Sequence, residues 1–344
     1  MGKILVTGGC GYIGSHTLVD LIDHGFEVIS VDNLSNAREE VLQGIARITG
    51  QQVENYNCDL SDPAATTALF RELPQIDAII HFAAHKSVGE SVAYPLRYFR
   101  NNLDSLMNIL QAMEDQQIPN LIFSSSCSVY GNAEKLPVDE QTPLQEAESP
   151  YARTKQLGET ILRDLTQHRS WPQCVLLRYF NPAGAHASAH IGEDPSNRAN
   201  NLVPVITETA IGKRERMTVF GTDYPTPDGS CIRDYLHVMD LANAHTRSLQ
   251  FLLAQKQEEA LEIFNLGMGR GVSVLEAIAA FERSTGQHLR YERGPRRAGD
   301  VVAIYADASR AAARLGWQAE RDIDEIMRSA WEWEQVRSGK RVPS

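Results

Sequence analysis

Positive charge is in short supply in this 344-residue chain: 33 Lys and Arg stand against 44 Asp and Glu, a formal net charge of -11. That balance excludes capture of nucleic acid or an anionic membrane by bulk attraction. An anionic ligand must be held by a few local cations or by backbone donors. Cysteine is also sparse. The five (Cys10, Cys58, Cys127, Cys174, Cys231) are odd in number, scattered and without a C-x-x-C pair, so a disulfide framework is not expected. No segment approaches the roughly 18 apolar residues of a membrane-spanning helix. Met1–Thr7 has no basic stretch ahead of an apolar one, and Val6 stands where a myristoylation signal wants Ser or Thr. A cytoplasmic location is expected. His81 and His85 straddle a strand end, so no metal site is expected.

What the chain has is an ordinary globular composition, 42% hydrophobic and 22% charged, long enough for two domains. Nearly continuous apolar runs at Lys3–Thr7, Glu27–Val31, Asp77–Phe82, Asn120–Ser125 and Cys174–Tyr179 read as strands covered on both faces. Helical patterns near 13–24, 63–73, 95–117 and 152–168 lie between them. The alternation predicts an α/β fold with a doubly wound, Rossmann-like parallel sheet. After about residue 181 the texture turns loop-rich, with helices near 202–212, 239–256, 273–285 and 322–336. Residues 1–181 are therefore expected to form a dinucleotide-binding domain. Residues 182–344 are expected to form mainly a smaller mixed α/β substrate lobe, with segments near 234–267 returning to the first domain. The Trp331 and Trp333 pair reads as packing.

The strongest local pattern is Gly8-Gly9-Cys10-Gly11-Tyr12-Ile13-Gly14, after a strand and opening a helix. Gly8, Gly11 and Gly14 allow the tight turn and the close approach of a pyrophosphate to a helix N-terminus. Eighteen residues on, Asp32 ends the second strand, placed to accept the hydroxyls of an adenosine ribose. No basic residue adjoins Asp32-Asn33, which favours NAD over NADP. Asp59 can receive an adenine amino group or cap the helix that opens at Pro63.

Tyr151 and Lys155 are four apart, hence on one helical face. Ser124-Ser125-Ser126 ends a strand at the sheet edge where ligands bind. A phenol with a pKa near 10 is a poor base at neutral pH, and a lysine ammonium beside it favours phenolate. A serine hydroxyl can position the substrate hydroxyl or relay its proton. Cys127 is not required once this set accounts for proton transfer.

With these residues the chain resembles the extended short-chain dehydrogenases/reductases, and among them the UDP-glucose 4-epimerase family. The matches run through Gly11-Tyr12-Ile13-Gly14, His81-Phe82-Ala83-Ala84, Lys86-Ser87-Val88-Gly89-Glu90-Ser91, Ser149-Pro150-Tyr151, Arg178-Tyr179-Phe180-Asn181-Pro182 and Gly192-Glu193-Asp194-Pro195. They continue in Asn200-Asn201-Leu202, Arg233-Asp234-Tyr235 and Arg296-Arg297-Ala298-Gly299-Asp300. The resemblance implies transient oxidation of a UDP-sugar at C4 by bound NAD, turning of the 4-keto sugar, and re-reduction on its other face. It implies Tyr151 as acid/base, Ser126 as its partner and Lys155 as the tuning cation. It implies cofactor contacts from Tyr12, Ile13, Asp32, Asn33, Asp59, Leu60, Phe82, Lys86, Asn101, Tyr179 and Phe180, besides Tyr151 and Lys155. For the UDP-sugar it implies contacts from Ser126, Asn181, Asn201, Arg233, Arg296 and Asp300. Taken alone, the two arginines read equally as surface residues. Four residues past Asp300, where the family often has tyrosine, this chain has Ile304; the smaller side chain leaves room for an N-acetylated sugar. A homodimer paired through helices near 95–117 and 152–168 is implied as well. Cys127-Ser128 stands where related 4,6-dehydratases carry an Asp-Glu pair, which argues against dehydration. The alternatives are a UDP-glucuronate or UDP-pentose epimerase or decarboxylase, and a non-catalytic NAD sensor.

Overall fold

The short apolar runs of the first half fold into the strands of one parallel sheet. A computed structural model of the chain describes residues 2–167, 171–194, 199–297 and 300–342. Strands β1 (Lys3–Thr7), β2 (Glu27–Val31), β3 (Asn55–Tyr56), β4 (Ala78–His81), β5 (Asn120–Ser126) and β6 (Gln173–Tyr179) are joined by a seventh, Leu261–Leu266. Across the sheet the order is Leu261–Leu266, β6, β5, β4, β1, β2, β3, and every pairing is parallel. The direction of winding reverses between β1 and β4, so a crevice opens at their C-terminal ends.

Side chains alternate between two cores, as the period of two requires. Ile4 and Val6 pack with Leu18 and Ile22 of helix α1 (Tyr12–Asp23) and with Leu241 and Leu249 of helix Val238–Leu253. Leu5 points the other way, toward Leu69, Ile109, Met113 and Leu162 of the opposite helical layer. A third cluster, built from Ile206, Phe281 and Trp331, holds together helices Leu202–Ala210, Val274–Thr285 and Ile323–Arg337. Trp331 meets Phe281 edge-on at 5.8 Å.

The helical stretch expected near 95–117 is interrupted. Pro95–Phe99 gives way to a π-helical turn, Arg100–Asp104, before Ser105–Gln116 resumes the α-helix. The turn is held by Asn102, whose side chain accepts from His85 N at 2.8 Å and donates to His85 O at 3.0 Å and Thr154 Oγ1 at 3.1 Å. Helices Glu40–Thr49 and Val88–Ala93 were not anticipated from the sequence. The first buries Gly44 and Ile45 and packs Val41, Leu42 and Ile48 partly buried against the same core. The second shows an apolar face to solvent, with Val88 and Val92 more than half exposed. The helix expected over 152–168 begins two residues earlier, at Pro150, and is described as far as Gln167. His168, Pro195, Ala298 and Gly299 of the stretches singled out above lie outside the described residues.

Candidate active site

At the crevice the glycines are fixed by close approach. Gly8 has φ +69°, and a Cβ there would stand 2.9 Å from Ala83 N. A Cβ on Gly14 would stand 2.2 Å from Gly8 O. Gly11 differs: among the described residues its only near neighbour would be Gly8 O at 3.1 Å, so its outer side is open. Gly11 is also the N-cap of α1 and supplies no side-chain cap. The first amides of α1, at Tyr12 and Ile13, therefore face an open cradle with the positive end of the helix dipole behind them. An anionic linkage such as a pyrophosphate fits there.

Asp32 turns its carboxylate to the same loop, accepting from Cys10 N at 3.1 Å and Leu34 N at 2.9 Å. Burial pushes its carboxyl above the usual range, against the pull of those amides. Asn33 closes its own turn through Ser35 N at 3.1 Å. The choice left open for the Pro63 helix falls to Asp62, whose side chain accepts from Ala64 N and Ala65 N. Asp59 is exposed and accepts from Ser61 N and Oγ on one oxygen. Next to it Leu60 is buried, its carbonyl taken by Asn108.

Phe82 follows β4 and lies 4.6 Å from the His245 ring. Lys86 stands over the Tyr12 ring at 5.7 Å and reaches Glu193 Oε1 at 3.5 Å. The Tyr12 hydroxyl crosses to the second lobe, donating to Gly184 O at 2.6 Å. Asn101 lies in the π-helical turn and donates to Asn102 at 2.9 Å.

The Ser–Tyr–Lys set converges beside this cradle. Lys155 is buried and donates from Nζ to Ser124 O at 2.7 Å. Burial lowers it to about 8, opposed by Glu159 one turn on. Tyr151 is driven the other way, above the ordinary phenol value, first by burial and then by Tyr179; a hydrogen bond with Ser126 pulls it back. Ser126 caps the following turn, accepting from Ser128 N at 3.2 Å. The Tyr179 hydroxyl is hydrogen-bonded to Ser124 Oγ, and Phe180 is buried beside it. Burial pushes the Cys127 thiol up to about 12, so it stays protonated and is no nucleophile at neutral pH.

Residues from Asn181 onward close the other side. Asn181 donates its backbone N–H to Asp234 O at 2.9 Å. Its side-chain oxygen is buried and, among the described residues, accepts no hydrogen bond. A buried amide oxygen in that condition is costly unless a donor reaches it. Arg233 is held by Val301 O at 2.6 Å and stands 3.9 Å from Asp300 Oδ1; its charge is felt at Cys127. Ile304 pairs in register with Arg233 and packs with Phe180, Val129 and Cys127. Asn201, exposed at the start of helix Leu202–Ala210, donates to Glu193 Oε1 at 3.0 Å.

The two adjacent arginines diverge. Arg296 lies outward on Asp223 at 2.9 Å, with its guanidinium 4.3 Å over the Tyr224 ring. Arg297 turns to Asp300, donating at 2.7 Å. The structure thus groups Arg233, Asp300 and Arg297, and Arg297 was not among the residues singled out from the sequence. Nothing local in the sequence separates it from its neighbour.

A doubly wound parallel sheet with a glycine cradle at its switch point and a Ser–Tyr–Lys set beside it defines the short-chain dehydrogenase/reductase class. The sequence family described as GDP-mannose 4,6 dehydratase matches residues 5–330. The UDP-glucose 4-epimerase of Bacillus subtilis (strain 168) is 47% identical over 332 residues, covering 96% of both chains. The solved structure of UDP-glucose 4-epimerase from Bifidobacterium longum, in complex with NAD+ and UDP, superposes with TM-score 0.92 at 44% identity, covering 98% of this chain and 99% of that one. That of UDP-glucose-4-epimerase from Stenotrophomonas maltophila, with bound NAD and formylated UDP-arabinopyranose, gives TM-score 0.94 at 45% identity over the same shares. The chain belongs to the UDP-glucose 4-epimerase family.

Proposed function

We propose that this chain interconverts UDP-glucose and UDP-galactose by transient oxidation at sugar C4, with NAD as resident cofactor. The observation that carries the reading is that Tyr151 and Lys155, one helical turn apart, both reach the strand end, Lys155 through Ser124 O and Tyr151 through Ser126. NAD, when bound, supplies the hydride acceptor and donor and a positive charge near the phenol. The amides of Tyr12 and Ile13 with Lys86 would hold its pyrophosphate. Asp32 and Asn33 would hold the adenosine ribose, and Asp59 and Leu60 the adenine. Phe82, Asn101, Tyr179 and Phe180 would line the rest of its path.

Tyr151 takes the proton from the C4 hydroxyl and returns it on the other face of the sugar. Burial alone makes this phenol harder to ionise than free tyrosine, so positive charge must offset it, and Lys155 is the protein's contribution. Ser126 bridges the phenol and the substrate hydroxyl. Arg233 holds the diphosphate while the sugar turns, Asn181 and Asn201 contact the sugar nucleotide, and Asp300 accepts from the uridine ribose. Arg297 joins that group, with Arg296 at the mouth. Planar guanidinium groups suit the diphosphate.

Three finer readings accompany this one. Ile304, in the wall beside Cys127 and Phe180, leaves room for UDP-N-acetylglucosamine and UDP-N-acetylgalactosamine. Residues 1–181 serve the cofactor and 182–344 mainly the sugar nucleotide, with 234–267 returning to the first domain. The chain works as a cytoplasmic homodimer. Exposed apolar side chains Val92, Leu96, Met107 and Leu157 on adjoining helices support the pairing, as large exposed apolar patches commonly mark interfaces. Five free cysteines support a reducing compartment, and among the described residues no helix is long and apolar enough to cross a membrane. A dehydratase would need its own acid and base after Ser126, where Cys127 and Ser128 stand.

The test is conversion of UDP-galactose to UDP-glucose by purified protein without added NAD and without net NADH. Deuterium at C4 should stay with the sugar. Wash-out of that deuterium to solvent would overturn the internal return of hydride.

A further inference from the structure

Behind the proton-transfer set lies a buried group of charges that the mechanism above does not use. Glu159 is 1% exposed. Its carboxylate accepts from Arg178 Nε at 2.9 Å and Nη2 at 2.5 Å, a bidentate pair from β6, and from Ser125 Oγ at 2.5 Å on β5. Arg178 is equally buried and also donates to the Tyr130 hydroxyl at 3.0 Å, which donates on to Asn265 Oδ1 at 2.6 Å.

We propose that Glu159 is a positioning residue of the Ser–Tyr–Lys set, acting as the counter-charge of the Lys155 ammonium and as the anchor of the Ser124–Ser126 strand end. The proposal rests on Lys155 being the cation of that set. Each partner of Glu159 is next in sequence to a residue of the site. Ser125 lies between Ser124, whose carbonyl receives Lys155 and whose hydroxyl meets Tyr179, and Ser126. Arg178 precedes Tyr179. One carboxylate thus ties the helix carrying Tyr151 and Lys155 to the two strand ends facing it.

A purely architectural role fits poorly. A buried ion pair is often no more stabilising than an apolar pair of the same volume, because both charges lose their hydration. The surroundings of Lys155 show what the charge does. On its own helix lie Tyr151 and Glu159. From β4 comes His81, lowered to about 3 by burial and by Lys155, hence neutral. From β5 come the Phe123 ring at 5.0 Å and the Ser124 carbonyl. From β6 come Arg178 and Tyr179. Glu159 is the carboxylate in this set, and it is the group that opposes the effect of burial on Lys155. Neutralising it would also leave the Arg178 charge uncompensated nearby, and both changes disfavour the ammonium.

The test follows the Lys155 side chain directly. In NAD-loaded protein carrying 13C-labelled lysine, the Lys155 Cε signal is assigned by its loss in Lys155→Met and titrated in wild type, Glu159→Gln and Glu159→Asp. The Glu159→Gln midpoint should fall by about one pH unit, as loss of one nearby opposite charge requires, while Glu159→Asp keeps most of the wild-type value. The alkaline limb of kcat should move with the midpoint, and KM for UDP-galactose should not. An unchanged midpoint in folded Glu159→Gln overturns the proposal. Should that variant fail to fold, the Glu159→Asp titration decides: drawing the carboxylate back by one methylene should lower the midpoint by a fraction of the unit expected for Glu159→Gln, and no fall overturns the proposal. Because the titration needs no turnover, an inactive wild type would count against the epimerase reading alone.

Discussion

The two sides of the crevice are built differently. On the sheet side, Lys155, Ser124, Ser126 and Tyr179 are buried or half-buried and hold one another through hydrogen bonds anchored in β5 and β6. On the lobe side, Arg233, Arg296, Arg297 and Asn201 lean on Val301 O, Asp223, Asp300 and Glu193, and all but Arg233 are exposed. The first arrangement is preorganised: its dipoles need not move during the reaction. On the function proposed above, the second exchanges protein partners for phosphate oxygens. Chemistry should therefore fail all at once when the sheet side is altered, and binding should fail by degrees when the lobe is.

The largest effect follows from Tyr151→Phe. It should lower kcat by about 10³-fold, within the range general acid–base groups contribute, and leave NAD content unchanged by absorbance of the denatured supernatant. Normal turnover would remove the distinction between the two sides. On the lobe, Arg233→Ala should raise the Kd for UDP roughly 30-fold, Arg297→Ala roughly tenfold and Arg296→Ala less, as loss of charge-assisted bonds of decreasing burial implies. Isothermal titration ranks them, and an Arg296 effect above that of Arg297 would reverse the assignment made from Asp300. Ile304→Tyr should cut kcat/KM for UDP-N-acetylgalactosamine relative to UDP-galactose by about tenfold, a pocket-size effect. Equal ratios in wild type and variant would show that Ile304 does not set the clearance.

The smallest effect is on stability. Burial lowers His16, His81 and His237 to about 3 and His245 to about 4, whereas the unfolded chain protonates near 6.5. Between those values the unfolded state binds more protons, so stability is full above pH 6.5 and is lost as pH falls. Roughly a few degrees of Tm should disappear between pH 7 and 5.5. His16, His81 and His245 sit in the sheet and its covering helices. Hydrogen exchange at pH 5.5 should therefore show α1 and β4 opening before helix Val274–Thr285; the reverse order would place the acid-sensitive region in the lobe.

The sheet side was legible in the sequence and the lobe side less so, for physical reasons. β1 and β2 are short runs buried on both faces, and their bounds are fixed by the glycines that follow the first and by Asp32 after the second. Tyr151 and Lys155 could be placed together because helical spacing needs no knowledge of the rest of the fold. The π-helical turn at Arg100–Asp104 leaves no such mark: it is stabilised by Asn102 reaching His85 and Thr154, contacts distant along the chain. Arg296 and Arg297 share one local sequence, and only the positions of Asp223 and Asp300 separate them. Glu159 reads as one more polar helix residue until Arg178 and Ser125 are found around it.

The strand Leu261–Leu266 completes the sheet against β6, yet about eighty residues of chain separate the two. At ~5–20 residues per second, synthesis takes roughly 4–16 s to cross that gap. Throughout it, β6 is an unpaired edge with six of its seven residues destined for burial, the kind of edge on which other chains add. The nascent protein is thus sticky for longest after Tyr151 and Lys155 have emerged, which ties its yield to the pace of the ribosome through residues 180–260.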